Sequence, residues 1–357
     1  MKILVYGAGP LGSLFAGRLQ RGGNEVSLLA RGRRLAALRE HGVVEVDVQT
    51  GRRMVTQVDV VEALAPEDAY DLVLVVMRKN HALEILPVLA ANRQTSNVLF
   101  LMNNAAGPGA LVDALGKERV LIGFPNAAGS REGHEVHCLA GTEEEPTPVL
   151  FGEVDGRITE RTRQVARMLG SGWGMAAEVR TDMDVWLKYH VALLMPALVP
   201  ALYAAGTDNY RLARTRDLLV LAVRGIREGF RVLQALGLPV TPSRFRILQW
   251  LPEPVLVLML RRLLANELME TAMVAHAEAA RDEMRHLADE FRALARATAV
   301  ETPVIDRLYS YFDPQTPPVP EGRSEIPMRW GGVVTTLAVV AAVVWLVRRA
   351  TRGNSKR

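Results

Sequence analysis

The sequence predicts an α/β protein with a Rossmann-type parallel sheet domain, an all-helical domain after it and a transmembrane helix near its C-terminal end. An apolar run at residues 1–6 breaks at once into a glycine turn, and further apolar runs of strand length follow up to about residue 157. From about residue 158 the apolar period is helical. The predicted parts are a cofactor-binding domain at 1–157, a helical substrate and dimerisation domain at 158–312, a proline-rich linker at 313–329, a transmembrane helix at 330–347 and a basic tail at 348–357.

The glycine turn has the spacing of a dinucleotide-binding loop. In such a loop the first glycine permits a tight turn, the second lets the backbone approach a pyrophosphate, and the third lets the helix pack on the strand. The diphosphate then lies on unpaired amides at the helix N-terminus. The predicted cofactor loop consists of Gly7, Ala8, Gly9, Pro10, Leu11 and Gly12. The alternative is an ordinary tight turn followed by solvated arginines.

Residue 31 indicates which dinucleotide the loop binds. The second predicted strand, at 25–30, ends at Arg31, and Arg33 and Arg34 follow closely. A site that prefers NAD(H) usually carries an acid here for the ribose hydroxyl, whereas a cation suits a 2′-phosphate. We therefore predict NADP(H) as the cofactor.

Polar side chains follow two later apolar runs, at 71–77 and 97–102, which we predict to be buried parallel strands. Ligands of an open parallel sheet bind beyond the carboxyl ends of its strands, so these side chains are expected near the cofactor. They are Arg78, Lys79 and Asn80 after the first run, and Asn103 and Asn104 after the second. The remaining predicted elements are a helix at 81–89, an antiparallel excursion at 43–61, and strands at 120–124 and 148–152.

The C-terminal region contains eighteen consecutive residues without a charge, at 330–347. As a helix this stretch spans about 27 Å, which matches a bilayer core. Trp330 and Trp345 lie near its ends, and Arg329 and Arg348 flank it. We predict a single-pass membrane protein, with the body on the cytoplasmic side because the N-terminal run is too short for a signal peptide. A buried core helix is the alternative.

Composition narrows the functional classes. The 357 residues are 49% hydrophobic and 23% charged, which is typical of a globular protein. The formal net charge is +4, but five cations lie in the last ten residues, so nucleic-acid binding by the body is not predicted. Cys138 is the only cysteine, which excludes an intrachain disulfide and a cysteine-based zinc site, and no metal is predicted.

With these residues in view, residues 1 to about 310 resemble the ketopantoate reductase (2-dehydropantoate 2-reductase) family. That resemblance implies an NADPH-dependent enzyme with a Rossmann-type domain and a helical C-terminal domain. Beyond the glycine loop it rests on Leu28-Leu29-Ala30-Arg31, Glu118-Arg119-Val120-Leu121-Ile122-Gly123, Phe151-Gly152-Glu153 and Trp186-Leu187-Lys188.

The resemblance also implies roles for individual residues. Lys188 falls on the family's catalytic lysine and is predicted to be the general acid, since partial burial brings a lysine's pKa toward neutrality. Asn103 matches the asparagine after the fourth strand, with cofactor and substrate contacts. Glu283 and Thr271 are predicted to bind substrate, and Arg78 takes the place of the usual lysine at the cofactor site.

The chain departs from the family on the substrate side. Two asparagines that follow the family's lysine are Ala192 and Pro196 here, Asn104 replaces a glycine, and Asp289 stands where a late glycine is usual. We therefore predict an NADPH-dependent reductase of a 2-oxo acid or related small-molecule carbonyl compound other than ketopantoate, possible as a homodimer. The alternative is a non-catalytic, membrane-tethered NADP(H)-binding module.

Overall fold

The computed structural model describes residues 1–330 and 332, and its first half is built on two sheets. Short runs of β-branched and leucine residues form the strands, and the central ones are buried on both faces. The strands are β1 Lys2–Tyr6, β2 Glu25–Leu29, β3 Val43–Asp47, β4 Arg53–Thr56, β5 Asp59–Val61, β6 Leu72–Val75, β7 Val98–Leu101, β8 Val120–Phe124, β9 Ala128–Glu132, β10 Glu135–Leu139, β11 Thr147–Glu153 and β12 Met175–Val179.

The larger sheet has the order β12-β11-β8-β7-β6-β1-β2-β5. Strands β5, β2, β1, β6, β7 and β8 are parallel, whereas β11 is antiparallel to β8. The chain reverses its direction of travel across the sheet between β1 and β6, and this switch point is where such sheets bind ligands. The predicted Rossmann-type sheet is confirmed.

Helices cover both faces of this sheet and then form the second half of the chain. They are α1 Pro10–Arg21, α2 Gly32–His41, α3 Lys79–Glu84, α4 Leu86–Ala91, α5 Gly109–Leu115, α6 Glu160–Gly170, α7 Met183–Leu193, α8 Val199–Ala204, α9 Asn209–Arg214, α10 Arg216–Ala235, α11 Ile247–Trp250, α12 Glu253–Leu264, α13 Ala275–Ala279, α14 Arg281–Arg296 and α15 Pro303–Tyr309. Short π-helical segments at Leu194–Leu198 and Glu270–Val274 join α7 to α8 and precede α13. The first turn of α7 carries Met183, Trp186 and Leu187 into the core on one sheet face, which brings Lys188 to the sheet.

The smaller sheet has the order β4-β3-β10-β9. The predicted antiparallel excursion at 43–61 is confirmed for β3 and β4, but its last part, β5, joins the large sheet beside β2 instead. The hairpin β9–β10 is absent from the sequence prediction, because its strands are polar and only partly buried. The predicted helix at 81–89 is interrupted at Ile85, between α3 and α4, two residues before Pro87.

The start of the predicted helical region needs correction. Residues 175–179 form strand β12, which pairs in parallel with β11 at the sheet edge, and α6 packs on the same sheet. The helical pattern of 160–170 is real, but the chain returns to the sheet before it enters the helical core. The predicted boundary at residue 157 therefore has sheet elements on both of its sides.

The predicted linker at 313–329 is not free of the protein. The amide of Val319 donates to the carbonyl of Ala204 at 2.8 Å, and buried Asp217 accepts the amides of Glu325 and Ile326 at 3.0 and 2.8 Å. Prolines keep this segment extended, so its amides need acceptors outside it, and the helical part supplies them.

The predicted transmembrane helix at 330–347 lies outside the described residues, apart from Trp330 and Gly332. Within the described part, one helix, Met183–Ala204, is long and apolar enough to cross a membrane, but 78% of its apolar window is buried inside the protein. That helix contains α7 and α8 and is a core element, so it gives only weak support for a membrane span.

Candidate active site

The glycine loop between β1 and α1 has the geometry of a phosphate cradle. Gly7 has φ +118°, and a Cβ there would lie 2.5 Å from the carbonyl oxygen of Val76 on the neighbouring strand's end. A Cβ on Gly12 would lie 1.7 Å from the carbonyl oxygen of Gly7, so helix and strand touch at this point. A Cβ on Gly9, in contrast, has nothing within 4 Å. The loop is closed where it must pack and open where a ligand approaches.

The open side of the loop faces the start of α1. Gly9 is the N-cap residue and no side chain caps the helix, so amides of the first turn remain available to an anion. The first turn also lacks acidic residues. The residues of the loop therefore fit the diphosphate of a dinucleotide.

Arg34 and Arg131 lie next to each other beside this loop, and no acidic side chain of the described residues pairs with either of them. The side chain of Arg34 donates to the carbonyl oxygen of Ala8 at 3.3 Å and to the hydroxyl of Ser13 at 2.8 Å. Burial and the nearby charge of Arg131 lower the pKa of Arg34 to about 10, which still leaves it protonated at neutral pH. Neither arginine has an ion-pair partner within the described part of the chain. Arg31, the predicted contact of a 2′-phosphate, is exposed, and its side chain donates to the carbonyl oxygen of Glu62 at 3.3 Å.

Lys188 lies in a buried cluster at the carboxyl ends of β6 and β7. Its ammonium group pairs with Asp184 one turn earlier on α7, and its side chain is only 10% exposed. A Cβ on Gly107, which has φ +85°, would lie 3.2 Å from Lys188 Nζ. Gly107 thus leaves the space that the lysine head occupies.

Lys79 is the second cation of the cluster. Its Nζ donates to Asn104 Oδ1 at 2.6 Å and pairs with Glu290 Oε1 at 3.0 Å. Asn104 in turn bonds both the amide and the carbonyl of Gly107, which joins this group to Lys188. Burial, and to a lesser extent the charge of Lys188, lower the pKa of Lys79, while Glu290 opposes the shift.

Asn103 directly precedes this network and differs from its neighbour. Its side-chain oxygen is buried and has no hydrogen-bond partner in the structure. Buried polar atoms without a partner are rare and often mark the place of a ligand. The prediction that Asn103 contacts cofactor or substrate is consistent with this position and stays a prediction.

Glu283 and Arg78 connect the helical part to the sheet edge. Glu283 is 3% exposed, and its Oε1 accepts the amide of Lys79 at the start of α3 at 3.0 Å. Its Oε2 has no hydrogen bond and lies 3.4 Å from His276 Nε2. Arg78 pairs with Asp282 at 3.0 Å and donates to the carbonyl of Ala279. Arg78 therefore links the end of β6 to α13 and α14, and Lys79 is the cation whose ammonium group lies in the cluster. The predicted cofactor contact of Arg78 stays a prediction.

Thr271 lies near the small sheet. It belongs to the π-helical segment before α13, which packs against β9. Strand β9 also packs against α1 next to the glycine loop, where a Cβ on Gly129 would lie 3.5 Å from Pro10. The structure thus associates Thr271 with the small sheet, and its predicted substrate contact stays a prediction.

The two replaced asparagine positions are built into the core. Ala192 is fully buried, and a Cβ on Gly229 of α10 would lie 3.5 Å from its own Cβ. Pro196 lies in the π-helical segment. A proline has no amide hydrogen and cannot make the i→i−4 bond, which explains why the regular α-helix is interrupted here. The helix beyond Lys188 therefore presents packed apolar groups where the family pattern has amides.

His190 is a packing residue rather than an acid or base. Its ring stacks on Trp186 with centroids 5.1 Å apart and contacts Phe124 at 4.3 Å. Burial lowers the pKa of His190 to about 4, below the 6.5 expected for the unfolded chain. Between these two pH values His190 is protonated in the unfolded chain but neutral in the folded one. The free energy of unfolding therefore decreases as the pH falls from 6.5 toward 4.

This linkage gives a measurable expectation. The free energy of unfolding should fall by up to about 1.4 kcal/mol per pH unit across that window from this group alone. His190→Phe keeps the ring stack and should remove that part of the slope in chemical denaturation at pH 4.5 and 6.5. An unchanged slope in the variant would contradict a buried neutral histidine.

Comparison with known proteins places this geometry in a family. The family model "ApbA: Ketopantoate reductase PanE/ApbA" matches residues 3–154, which include the glycine loop, Lys79 and the two asparagines. The chain carries a ketopantoate reductase family domain. Beyond residue 154, the chain is similar to known proteins through relatives below 30% identity and through its fold.

The relatives of this ketopantoate reductase domain are distant. The "Uncharacterized oxidoreductase YkpB" of Bacillus subtilis is 29% identical over 196 residues, which are 53% of this chain and 61% of that protein. The 2-dehydropantoate 2-reductase of Halobacterium salinarum is 28% identical over 248 residues, 68% of this chain and 78% of that protein. A solved D-mandelate dehydrogenase with NADH and anilino(oxo)acetate has a TM-score of 0.70 at 16% identity, covering 87% of this chain and 97% of that one. The last likeness concerns the fold alone.

Sequence reasoning missed three residues of the site. The sequence places Lys79 after its strand but does not distinguish it from Arg78, since only the start of α3 decides which of the two side chains turns inward. Glu290 lies two turns after Glu283 on α14, and that spacing is the signal that both face the sheet. Arg131 lies on a strand that the sequence does not predict, so no pattern pointed to it.

Proposed function

We propose that this chain is a reductase of a 2-oxo acid or related carbonyl compound, with a nicotinamide dinucleotide as hydride donor and Lys188 as general acid. The observation that carries the proposal is the buried lysine pair at the carboxyl ends of β6 and β7. These strand ends adjoin the switch point of the sheet, where the glycine loop begins. This position supports a cofactor at the loop and a proton donor at Lys188 on the same edge of the sheet.

The residues present fit the cofactor. Gly9 leaves open the approach to the amides of α1, and the domain match covers this loop. When bound, the nicotinamide would supply a hydride to the carbonyl carbon of the substrate. Gly7 and Gly12 fix the loop, and Asn103, which directly follows β7, has a buried amide oxygen without a hydrogen-bond partner.

The lysines have distinct parts in the chemistry. Reduction of a carbonyl builds negative charge on its oxygen, which needs a proton and nearby cations. Lys188 would deliver the proton from Nζ, and Asp184 orients that group from one turn before it. Lys79, held by Asn104 and Glu290, adds a fixed positive charge beside it, which favours a carboxylate or oxyanion.

The substrate proposed is not ketopantoate. Ala192 is packed against α10, and Pro196 removes an amide from the helix turn where the family holds polar substrate groups. A buried polar group of a substrate would find no partner at these two positions, which disfavours it. A 2-oxo acid with an apolar side chain fits this helix better.

NADPH is the proposed form of the cofactor. The solved neighbour named above contains NADH, so the fold leaves open which dinucleotide is used, and the local charges must decide. Arg131, Arg34 and Arg31 beside the loop are cations that a 2′-phosphate would neutralise.

Removing these cations should change the preference. Arg31→Ala and Arg131→Ala are each expected to weaken NADPH binding by about 1.5 to 3 kcal/mol, roughly ten- to a hundred-fold, since each loses a charge-assisted bond. NADH affinity should stay within a factor of about two, because it lacks the phosphate. Arg39→Ala, at the far end of α2, is the matched control, and cofactor fluorescence titration gives the constants. Equal affinities of the parent for both dinucleotides would refute the NADPH assignment.

A second candidate function is a membrane-tethered NADP(H)-binding module without catalysis. The two replaced asparagine positions favour it, because they remove substrate contacts and leave the cofactor loop intact. A screen of 2-oxo acids and aldehydes by NADPH absorbance separates the two. Turnover above the rate of the Lys188→Ala variant supports the reductase, and tight NADPH binding without turnover on any compound supports the module.

We also propose that the chain is attached to a membrane by residues 330–347, with its body on the cytoplasmic side. The sequence of that segment supports attachment, and the need of a reductase for cytosolic NADPH supports the side. A homodimer through the helical part stays a prediction.

A further inference from the structure

Helix α12 turns an apolar stripe toward solvent. Glu253, Leu256, Val257 and Leu264 face the core, and Leu260 is partly buried on the same side. The opposite arc carries Val255, Leu258, Met259 and Leu263, of which the last three are 47%, 48% and 55% exposed. A surface helix normally has polar residues on its outer arc. The pattern on α12 therefore calls for something that covers it.

The residues just before α12 extend this apolar surface. Trp250, at the end of α11, is 81% exposed, and Ile247 is 48% exposed. Contiguous exposed apolar groups of this size mark protein or membrane contact sites. We refer to Ile247, Trp250, Val255, Leu258, Met259 and Leu263 as the α12 face.

Cations border the α12 face. Between residues 243 and 263 the sequence has Arg244, Arg246, Arg261 and Arg262, all exposed, and one acid, buried Glu253. Glu253 is already paired with Arg224 at 2.8 Å. None of the four arginines forms an ion pair in the described part of the chain. An apolar centre with an unpaired cationic border is complementary to an anionic lipid surface.

The described chain ends at the edge of the same face. The amide of Arg329 donates to Glu253 at 2.9 Å, and a Cβ on Gly332 would lie 3.7 Å from Pro252, the N-cap of α12. Trp330 between them is 58% exposed. The next fifteen residues, 333–347, have no charge in the sequence. The docked 313–329 segment thus brings Trp330, the first residue of the predicted membrane helix, to the start of α12.

We propose that the α12 face rests on the surface of an anionic lipid bilayer, with Trp250 and Trp330 at the interface and the four arginines on the headgroups. Tryptophan and arginine are the side chains that such interfaces favour. The inference is independent of the reductase activity but rests on the proposed membrane attachment, and it fixes one orientation of the body on the membrane.

Fluorescent labels on the full-length chain test the contact. Met259→Cys places a label on the α12 face, and Val55→Cys, at a 51% exposed position on β4, is the control. Native Cys138 is fully buried and should not react. In nanodiscs of phosphatidylcholine with phosphatidylglycerol, nitroxide lipids should quench the label at 259 several-fold more than the label at 55.

The arginine border gives the second measurement. Arg261→Gln with Arg262→Gln should lower the ratio of quenched to free label at 259 by about five-fold for each arginine, the effect of about 1 kcal/mol per cation near an anionic surface. Arg163→Gln with Arg167→Gln, exposed on α6, should leave it unchanged.

Three results would overturn the proposal. Equal lipid quenching at 259 and 55 means that no bilayer contacts the face. Protection of the 259 label from a water-soluble quencher in detergent, without a bilayer, assigns the face to a second copy if it depends on protein concentration. Protection of the 259 label from both the water-soluble quencher and the nitroxide lipids, in nanodiscs that hold a single chain, assigns the face to the chain's own apolar segment.

Discussion

Replacing Gly9 by aspartate is expected to abolish NADPH binding and to leave the fold at least as stable as that of the parent. A side chain at Gly9 meets nothing within 4 Å in the protein, so the substitution creates no internal clash. Gly9 is also the N-cap of α1 with φ −70°, a position that aspartate favours by a few tenths of a kcal/mol over glycine. The new carboxylate would occupy the place of the pyrophosphate and repel its negative charge. The pyrophosphate could then no longer bind the amides at the start of the helix.

Fluorescence titration with NADPH and thermal unfolding of the same sample check both parts. Gly12→Ala is the contrast, because its Cβ would lie 1.7 Å from the carbonyl oxygen of Gly7 and must displace the backbone. That variant should lose stability as well as binding, by about 1 to 3 kcal/mol or more. NADPH binding by Gly9→Asp with near-parental affinity would refute the assignment of the loop.

Local pattern was enough to predict the glycine loop and the strands around it. Apolar runs of four to six residues with glycine or polar ends define β1, β2, β6, β7 and β8, and all five fall where the sequence predicts them. The glycine spacing has a direct steric cause at Gly7 and Gly12, so sequence and structure agree there by necessity.

The elements that sequence reasoning missed depend on distant partners. Strand β12 has the sequence Met-Ala-Ala-Glu-Val, whose residues suit the predicted helix, and only its pairing with β11 makes it a strand. The 313–329 segment is proline-rich, which usually indicates a linker, but buried Asp217 supplies acceptors that no local pattern reveals. In both cases tertiary hydrogen bonds override a correct local tendency.

The lysine pair shows the same limit inside the site. Arg78 and Lys79 are adjacent, and the family pattern selects the first. Lys79 points inward because its backbone amide, at the start of α3, donates to Glu283 and its ammonium group donates to Asn104. The family has a glycine at position 104. The arrangement depends jointly on Lys79, Asn104 and Glu290. The resemblance therefore points to this strand end, and the side chain that is buried there is that of Lys79 rather than Arg78.

Replacing Lys188 by alanine is expected to lower kcat by about 10² to 10⁴ on any substrate that the parent reduces, the usual worth of a positioned proton donor. NADPH binding should change little, because the dinucleotide phosphates are proposed to lie at the glycine loop. Since Lys188 is buried beside Asp184, Lys188→Met is the better-matched variant, as it keeps the bulk of the stem and removes only the ammonium group. Both variants should be slow to the same degree.

Single-turnover measurement of NADPH oxidation separates this step from product release. Lys117→Ala, which removes a surface lysine paired with Asp155, controls for loss of positive charge. Addition of a small primary amine should restore part of the rate to Lys188→Ala, where the lost stem leaves space, and none to Lys188→Met, where methionine fills it. If Lys188→Ala turns over as fast as the parent, the acid must be another group. The buried ammonium of Lys79, whose pKa is lowered by burial, is then the cation next in reach.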